Sequence, residues 1–298
     1  MPRTQPHSGF TLIEFIVVMV VASAVAVGLT YAVRPALMGY ADVRLRSDVA
    51  NQADVALQRM VQDVRRAVPN SLRTPGSQCI EMVPTWTGGR YRMRPDTQND
   101  NAVNCAPSAT CSAAVDTSTT TTVFDSLTDL LLSVSAGDWV VIDNQNVNDV
   151  YAGSNRSAIV SVSALSGAQA TQGKHRITIN SLQVPAGYLG GRFQVVRDAE
   201  QAVFYVCSGV GTDASGRNGA GTLYRLKHYG FNAAYPTACP APGATADVIA
   251  TQVAGCSFEY AANQGATQQS GYLRLNIDLM RNGEKTHLSV GSHVLNVP

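Results

Sequence analysis

Hydrophobic and polar positions along the chain fall into three regimes. From Phe10 to Val33 almost every position is apolar, and Glu14 is the one charged residue in those 24 positions. At about 1.5 Å per residue such a helix covers the roughly 30 Å hydrocarbon core of a bilayer. Arg34 and Pro35 end the run, and Pro35 predicts a kink or a local loss of hydrogen bonding. From Ala41 to Val68 the pattern is amphipathic. Val49, Ala53, Leu57 with Ala56, Met60, Val61, Val64 and Val68 recur at three- and four-residue steps, between charged and amide residues. This predicts a helix with one buried stripe, closed by Pro69 and Asn70. After Asn70 the period becomes two. Strands are expected at 79–83, 90–94, 138–142, 157–162, 176–179, 192–196, 202–207, 222–226 and 256–260. A final hairpin, 272–279 and 288–297, turns at Asn282-Gly283, the strongest short hairpin signal. The stretches 99–122, 209–221, 236–245 and 263–271 are rich in small and polar residues and read as surface loops. The threonine run 117–122 reads as a solvated loop, with O-linked sugars as the alternative. The pattern predicts an α+β chain in which a long N-terminal helical stem packs on a mainly antiparallel β-sheet head with long loops.

Charge and cysteines narrow the compartment. The chain carries 22 Lys+Arg against 21 Asp+Glu, so no protein-wide field favours nucleic acid. Arg90, Arg92 and Arg94, two residues apart, read as the solvent face of a strand. All six cysteines, Cys79, Cys105, Cys111, Cys207, Cys239 and Cys256, follow the apolar segment. An even count in an exported domain implies three disulfides formed outside the cytoplasm. Six cysteines allow 15 pairings. The expected set is Cys105–Cys111 closing a short loop, Cys207–Cys239 tying a strand to a loop, and Cys79–Cys256 joining two strands. No Cys-x-x-Cys is present, which argues against zinc.

Glu14 is the chemically informative residue. A carboxylate in hydrocarbon costs about 2.5 kcal/mol or more on insertion scales and marks a functional site by default. The small residue Gly9 precedes the apolar run, whereas a secretory signal places its cleavage site after it. Gly9-Phe10-Thr11-Leu12-Ile13-Glu14, behind a short polar leader containing Arg3, resembles the class III signal of type IV pilins and type II secretion pseudopilins. The resemblance implies that a prepilin peptidase cuts between Gly9 and Phe10 and that Phe10 becomes N-methylated. It also implies that Glu14 meets the Phe10 amine of a neighbouring subunit, a pairing that offsets the desolvation of both charges. The alternative is a single-pass anchor whose Glu14 snorkels to the interface.

On this reading residues 1–9 are a leader, 10–35 a membrane and filament-core helix, 36–70 an amphipathic stem on the head, and 71–298 the β-rich head. The stem end 59–73 and the segments 79–84 and 253–260 resemble MshO-type minor pilins of mannose-sensitive haemagglutinin pili. J-type pseudopilins and PilW-type minor pilins are more distant resemblances. These imply a minor pilin that primes pilus assembly in a tip complex, held in the bacterial inner membrane with a periplasmic head before assembly. Its partners would be other major and minor pilins and the prepilin peptidase. The competing class is a tip adhesin or DNA-uptake subunit, with Trp86, Tyr91, Tyr229 and Tyr235 as candidate contact aromatics. No nucleophile elbow, Walker loop or His-Glu-x-x-His occurs, so no enzyme and no cofactor is expected. His228, His287 and His293 read as exposed strand residues. Asp143, Asn144, Asn146, Asn148 and Asp149 have the composition of a calcium loop and equally of a polar turn, and the turn is the preferred reading.

Overall fold

In the computed structural model, residues 11–185, 190–264 and 270–297 are described, Ala36 and Gln264 in backbone only. The chain is α+β. One helix, α1 (Leu12–Arg65), is followed by an antiparallel β head. The chain divides into two compact units, Met1–Asp48 and Val49–Pro298.

Pro35 does not break α1, which is assigned without interruption across it. Proline costs a long helix one N–H donor, and neighbouring turns carry the ladder on. The helix stops at Arg65 and does not reach Pro69 and Asn70. There, Val68 N–H donates to Val83 O at 2.8 Å, and Ala67 forms a bridge with Pro84, so the backbone leaves the helix to join strand geometry. Asn70 then turns the chain at φ 59°.

The head is built from two antiparallel sheets. Its strands are β1 (Arg73–Gly76), β2 (Cys79–Met82), β3 (Thr87–Arg90), β4 (Thr121–Ser126) and β5 (Trp139–Val141). A one-turn helix, α2 (Asp149–Ala152), precedes β6 (Arg156–Ala164), β7 (His175–Leu182), β8 (Arg192–Val196), β9 (Val203–Ser208) and β10 (Gly221–Leu226). Three long strands finish the chain: β11 (Asp247–Gln264), β12 (Ser270–Arg281) and β13 (Glu284–Leu295). The seven-stranded sheet has the order β1-β2-β9-β10-β11-β12-β13, and the six-stranded sheet β3-β8-β5-β6-β7-β4.

Each element buries the residues its period selects. On α1 the whole stripe Val49, Ala53, Ala56, Leu57, Met60, Val61, Val64 is buried, as is Val68 just beyond it. On β12 the alternation buries Leu273, Leu275, Ile277 and Leu279. Gln52, Arg59 and Asp63 of the helix make polar links to β11, β9 and β10, so the stripe faces the seven-stranded sheet. The six-stranded sheet has its own core, in which Phe124 meets Phe193 edge-on with ring centroids 5.3 Å apart. Val68, Val83, Val141, Val150, Tyr151, Val196 and Ala202 form a third cluster where the helix end and both sheets converge.

Two expected features shift. Arg92 and Arg94 are not strand residues, because the strand is β3, ending at Arg90. Arg92 instead donates from Nε and Nη2 to Gln172 O at 2.9 and 2.8 Å. The threonine run 117–122 is a loop only to its fourth residue. Asp116 accepts from Ser118 and Thr119, and β4 begins at Thr121.

Candidate assembly segment and its anchorage

Sequence chemistry singles out the start of α1. Gly9 and Phe10, the expected processing residues, lie outside the described residues. From Thr11 onward the geometry is that of a capped helix. Thr11 O accepts from Phe15 N–H at 3.2 Å, and Thr11 Oγ1 accepts from Glu14 N–H at 3.4 Å. A Thr-x-x-Glu spacing is the capping-box signature, a signal present in the sequence but not used in reading it. Glu14 sits in the first turn, where a negative charge also suits the helix dipole.

Beyond that turn the segment is apolar and uncovered. Among the described residues, α1 is the one helix long and apolar enough to cross a membrane. Leu12, Phe15, Met19, Val27 and Leu29 are all more than half exposed. Two of its hydroxyls bond within the helix. Ser23 Oγ donates to Val20 O at 2.9 Å, and Thr30 Oγ1 donates to Ala26 O at 2.8 Å. A helix that closes its own hydrogen bonds and turns apolar side chains outward suits lipid, or the packed helices of a fibre.

Near the C-terminal end of α1, the Asp63 carboxylate takes two bonds from the head. Asp63 Oδ2 accepts from Tyr205 Oη at 2.7 Å and from Arg225 Nε at 2.9 Å. Arg225 also bonds Glu200 through Nη2. Burial alone would lower the Arg225 pKa, but its hydrogen bond to Glu200 and the charge of Asp63 leave it raised. Burial, followed by the nearby Asp63 charge, raises the Tyr205 phenol.

A second ionic knot joins β1, β2, α2 and the loop before Cys239. Arg73 and Glu81 are both fully buried, 3.4 Å apart. Arg73 Nη1 also donates to Asn232 O at 2.8 Å and Nη2 to Asn148 Oδ1 at 2.7 Å, while its guanidinium lies 3.4 Å from the centre of the Tyr151 ring. Glu81 Oε1 accepts from Tyr229 Oη at 2.9 Å. Its pKa is raised, because desolvation outweighs the Tyr229 bond and the Arg73 charge.

The polar side chains of 143–149 make hydrogen bonds within the protein. Asn144 donates to Pro69 O at 2.6 Å and accepts from Val150 N–H and Asn155. Asp149 accepts from Asn146, Asp143 from Gln145, and Asn148 serves Arg73. Through Asn144 these bonds pin the stem end to α2. The candidate contact aromatics are likewise engaged. Tyr91 is buried, and Trp86 donates to Ser133 O at 2.9 Å with Arg197 over its ring. Tyr235 Oη accepts from Thr74 N–H at 3.0 Å.

The disulfides correct two expected pairings. Cys105 joins Cys111 as expected. Cys79 joins Cys239, not Cys256, and Cys207 joins Cys256, not Cys239. The reason is where the loop 236–245 lies. Its Cys239 packs on the cluster of Cys79, Phe204 and Val206.

Residues 5–30 match the prokaryotic N-terminal methylation motif. That motif marks a pilin-like or pseudopilin prepilin, a substrate of prepilin peptidase that assembles with other pilins. No curated protein and no solved structure matches the chain.

Proposed function

We propose that the chain is a minor pilin that primes assembly of a type IV pilus and resides in a tip complex. The observation that carries this is the joining of one common part to one uncommon part. The methylation motif supplies a generic filament-core helix. The helix is attached to a two-sheet, triply disulfide-bonded head with long loops. A bulk subunit repeated along a fibre has little room for such a head, whereas a subunit at the end of the fibre has room. The resemblance of the segments 59–73, 79–84 and 253–260 to MshO-type minor pilins supports the same branch. The chain acts without catalysis and as a substrate of the peptidase, in the bacterial inner membrane first and at the pilus tip afterwards.

Two experiments test this. Mass spectrometry of the mature protein should find N-methylated Phe10 at its start, and an intact leader would defeat the prepilin reading. Deleting the gene while the major pilin is retained should sharply reduce surface pili. Unchanged pilus number would remove the priming role and leave the core-helix assignment standing.

A further inference from the structure

We propose that the outer face of strands β11, β12 and β13 binds a neutral saccharide, with Tyr272 as its stacking platform. The proposal goes beyond the assembly reading and does not rest on it.

The period of two sorts the side chains of β12 onto two faces. Leu273, Leu275, Ile277 and Leu279 are buried. Tyr272, Arg274, Asn276 and Asp278 take the alternate positions on the opposite face. The ladders set Asn276 between Ser257 of β11 and Ser289 of β13, and Asp278 between Gly255 and His287. Together these positions line a shallow depression of about 750 Å³.

The build of this face is not that of a merely solvated one. Side chains on a sheet normally stand off it. Here the Tyr272 ring lies across Gly291 and meets His293 edge-on, with ring centroids 5.2 Å apart. A Cβ on Gly291 would collide with Tyr272 Oη, and one on Gly255 would stand 2.5 Å from Asp278 Oδ2. Glycine inside a strand costs about 0.5–1 kcal/mol relative to alanine. The two glycines give up that stability, and what they allow is a ring and a carboxylate laid down against the sheet. Between these two, Asn276 is held in one orientation. Its Nδ2 donates to Ser257 Oγ at 3.0 Å, and its Oδ1 accepts from Ser289 Oγ at 2.6 Å. One amide hydrogen of Asn276 remains to donate. Arg274 has Glu259 as its ionic partner at 3.8 Å, beyond hydrogen-bond distance, so its forked donors are available.

The chemistry of the face selects the occupant. The charges of Arg274 and Lys285 balance those of Glu259 and Asp278, so there is no excess of positive charge to hold a polyanion. Asp278 is the one carboxylate lining the depression, and Lys285 and His287 already bond it, whereas calcium takes 6–8 oxygen ligands. Apart from Tyr272 and the disulfide-bonded Cys256, the lining residues are polar or glycine, so a protein partner finds no apolar pocket for an anchor side chain. The ligand that fits is uncharged, with adjacent hydroxyls and a patch of C–H groups, which describes a pyranose. The negative face of the tyrosine ring attracts the C–H hydrogens. Neighbouring hydroxyls, each both donor and acceptor, match the Arg274 fork, the Asn276 amide and the Asp278 carboxylate.

The test uses the full chain, purified in a detergent without a sugar headgroup, because alkyl glycosides would compete. The probes are oligosaccharides of glucose, galactose and N-acetylglucosamine, with sialylated and sulfated glycans as the anionic comparison. Binding is read on immobilised glycans and by saturation-transfer NMR. At least one neutral series should bind, with saturation strongest on the ring C–H hydrogens. Tyr272→Ala and Asn276→Ala should each weaken binding by about ten-fold or more. Tyr272→Phe should retain most of it, and Val160→Ala, on β6 of the other sheet, all of it. Each variant is checked for protease resistance and all three disulfides. If Tyr272→Ala fails that check, Ser289→Lys, which fills the depression from an exposed position, takes its place. The proposal is overturned if no neutral oligosaccharide binds at millimolar concentration, or if the anionic glycans are preferred. Binding untouched in the folded variants of Tyr272, Asn276 and Ser289 overturns it equally. Pilus number does not enter this assay, so failure of the priming role leaves the saccharide site standing.

Discussion

Asp63 is the residue whose removal most sharply tests how the stem is held. In Asp63→Ala, Tyr205 Oη and Arg225 Nε lose one shared acceptor oxygen, at 2.7 and 2.9 Å in the native structure. Leaving a buried hydroxyl unsatisfied costs about 1–3 kcal/mol, and a hydrogen bond to a charged group contributes about 1.5–3 kcal/mol. Arg225 keeps Glu200, and the carboxylate of Asp63 is 19% exposed, so the upper ends of both ranges do not apply. We expect a loss of about 3 kcal/mol, set against a typical total of about 5–15 kcal/mol. For a unit of this size that is a fall in melting temperature of about 6–12 °C. The assay is urea unfolding of the mature chain in detergent, disulfides intact. The cycle is completed with Tyr205→Phe, which alone should cost about 1 kcal/mol. Because Tyr205→Phe removes the donor stranded by Asp63→Ala, the double variant should recover part of the loss, with a coupling of about 1–2 kcal/mol. Additive losses, with coupling below about 0.5 kcal/mol, would refute the shared-oxygen account.

Further outcomes follow from the same geometry. Leu57→Ala should cost about 2–5 kcal/mol, while Val55→Ala, two residues away and 66% exposed, should change stability by less than about 0.5 kcal/mol. Glu81 has a raised folded pKa, so the unfolded chain gives up its proton first. Its contribution to stability is present below pH about 4.5 and declines as pH rises through the folded value; Glu81→Gln should flatten that decline in a denaturant series across pH. Asp247 and Asp278 are shifted the other way, chiefly by hydrogen bonds from Lys227 to the first and from His287 and Lys285 to the second, working against burial. Their contribution should disappear as pH falls below about 3.8. Replacing both cysteines of a bridge by serine should cost most for Cys79–Cys239, about 5 kcal/mol by loop length, and least for Cys105–Cys111, about 2 kcal/mol, measured as shifts in urea midpoint.

The stem stripe was readable because helical burial is local. A period near 3.6 selects Val49, Ala53, Leu57, Met60 and Val64 directly, and the sheet needs only to lie against that face. The last hairpin was readable for a similar reason, since Asn282 and Gly283 take the positive φ values, 52° and 87°, that a tight turn requires. Strand β1 was not, because Arg73-Thr74-Pro75-Gly76 carries turn residues and becomes a strand only by pairing with β2. Arg73 and Glu81 were unreadable as a pair, since their partners come from α2 and the loop near 229–235. The disulfide exchange has the same origin. A Pro- and Ala-rich loop has no periodicity to reveal that it folds back over Cys79. At the assembly segment, the Thr11–Glu14 cap was visible in the residues, whereas Gly9 and Phe10 lie outside the described residues.

The bridge pattern also constrains how the head is made. In chain order Cys79 and Cys207 precede Cys239 and Cys256, and the bonds Cys79–Cys239 and Cys207–Cys256 cross. A chain delivered residue by residue into an oxidising compartment exposes Cys79, Cys105 and Cys111 long before Cys239 arrives. Sequential oxidation would join neighbours in order of emergence, and of the three native bonds only Cys105–Cys111 is compatible with such haste. Reaching the crossed pair means reshuffling by thiol attack on misjoined sulfurs. Formation of the crossed pair should therefore depend on disulfide-isomerase capacity where the head oxidises, and cells lacking that capacity should form Cys105–Cys111 but not a correctly linked head.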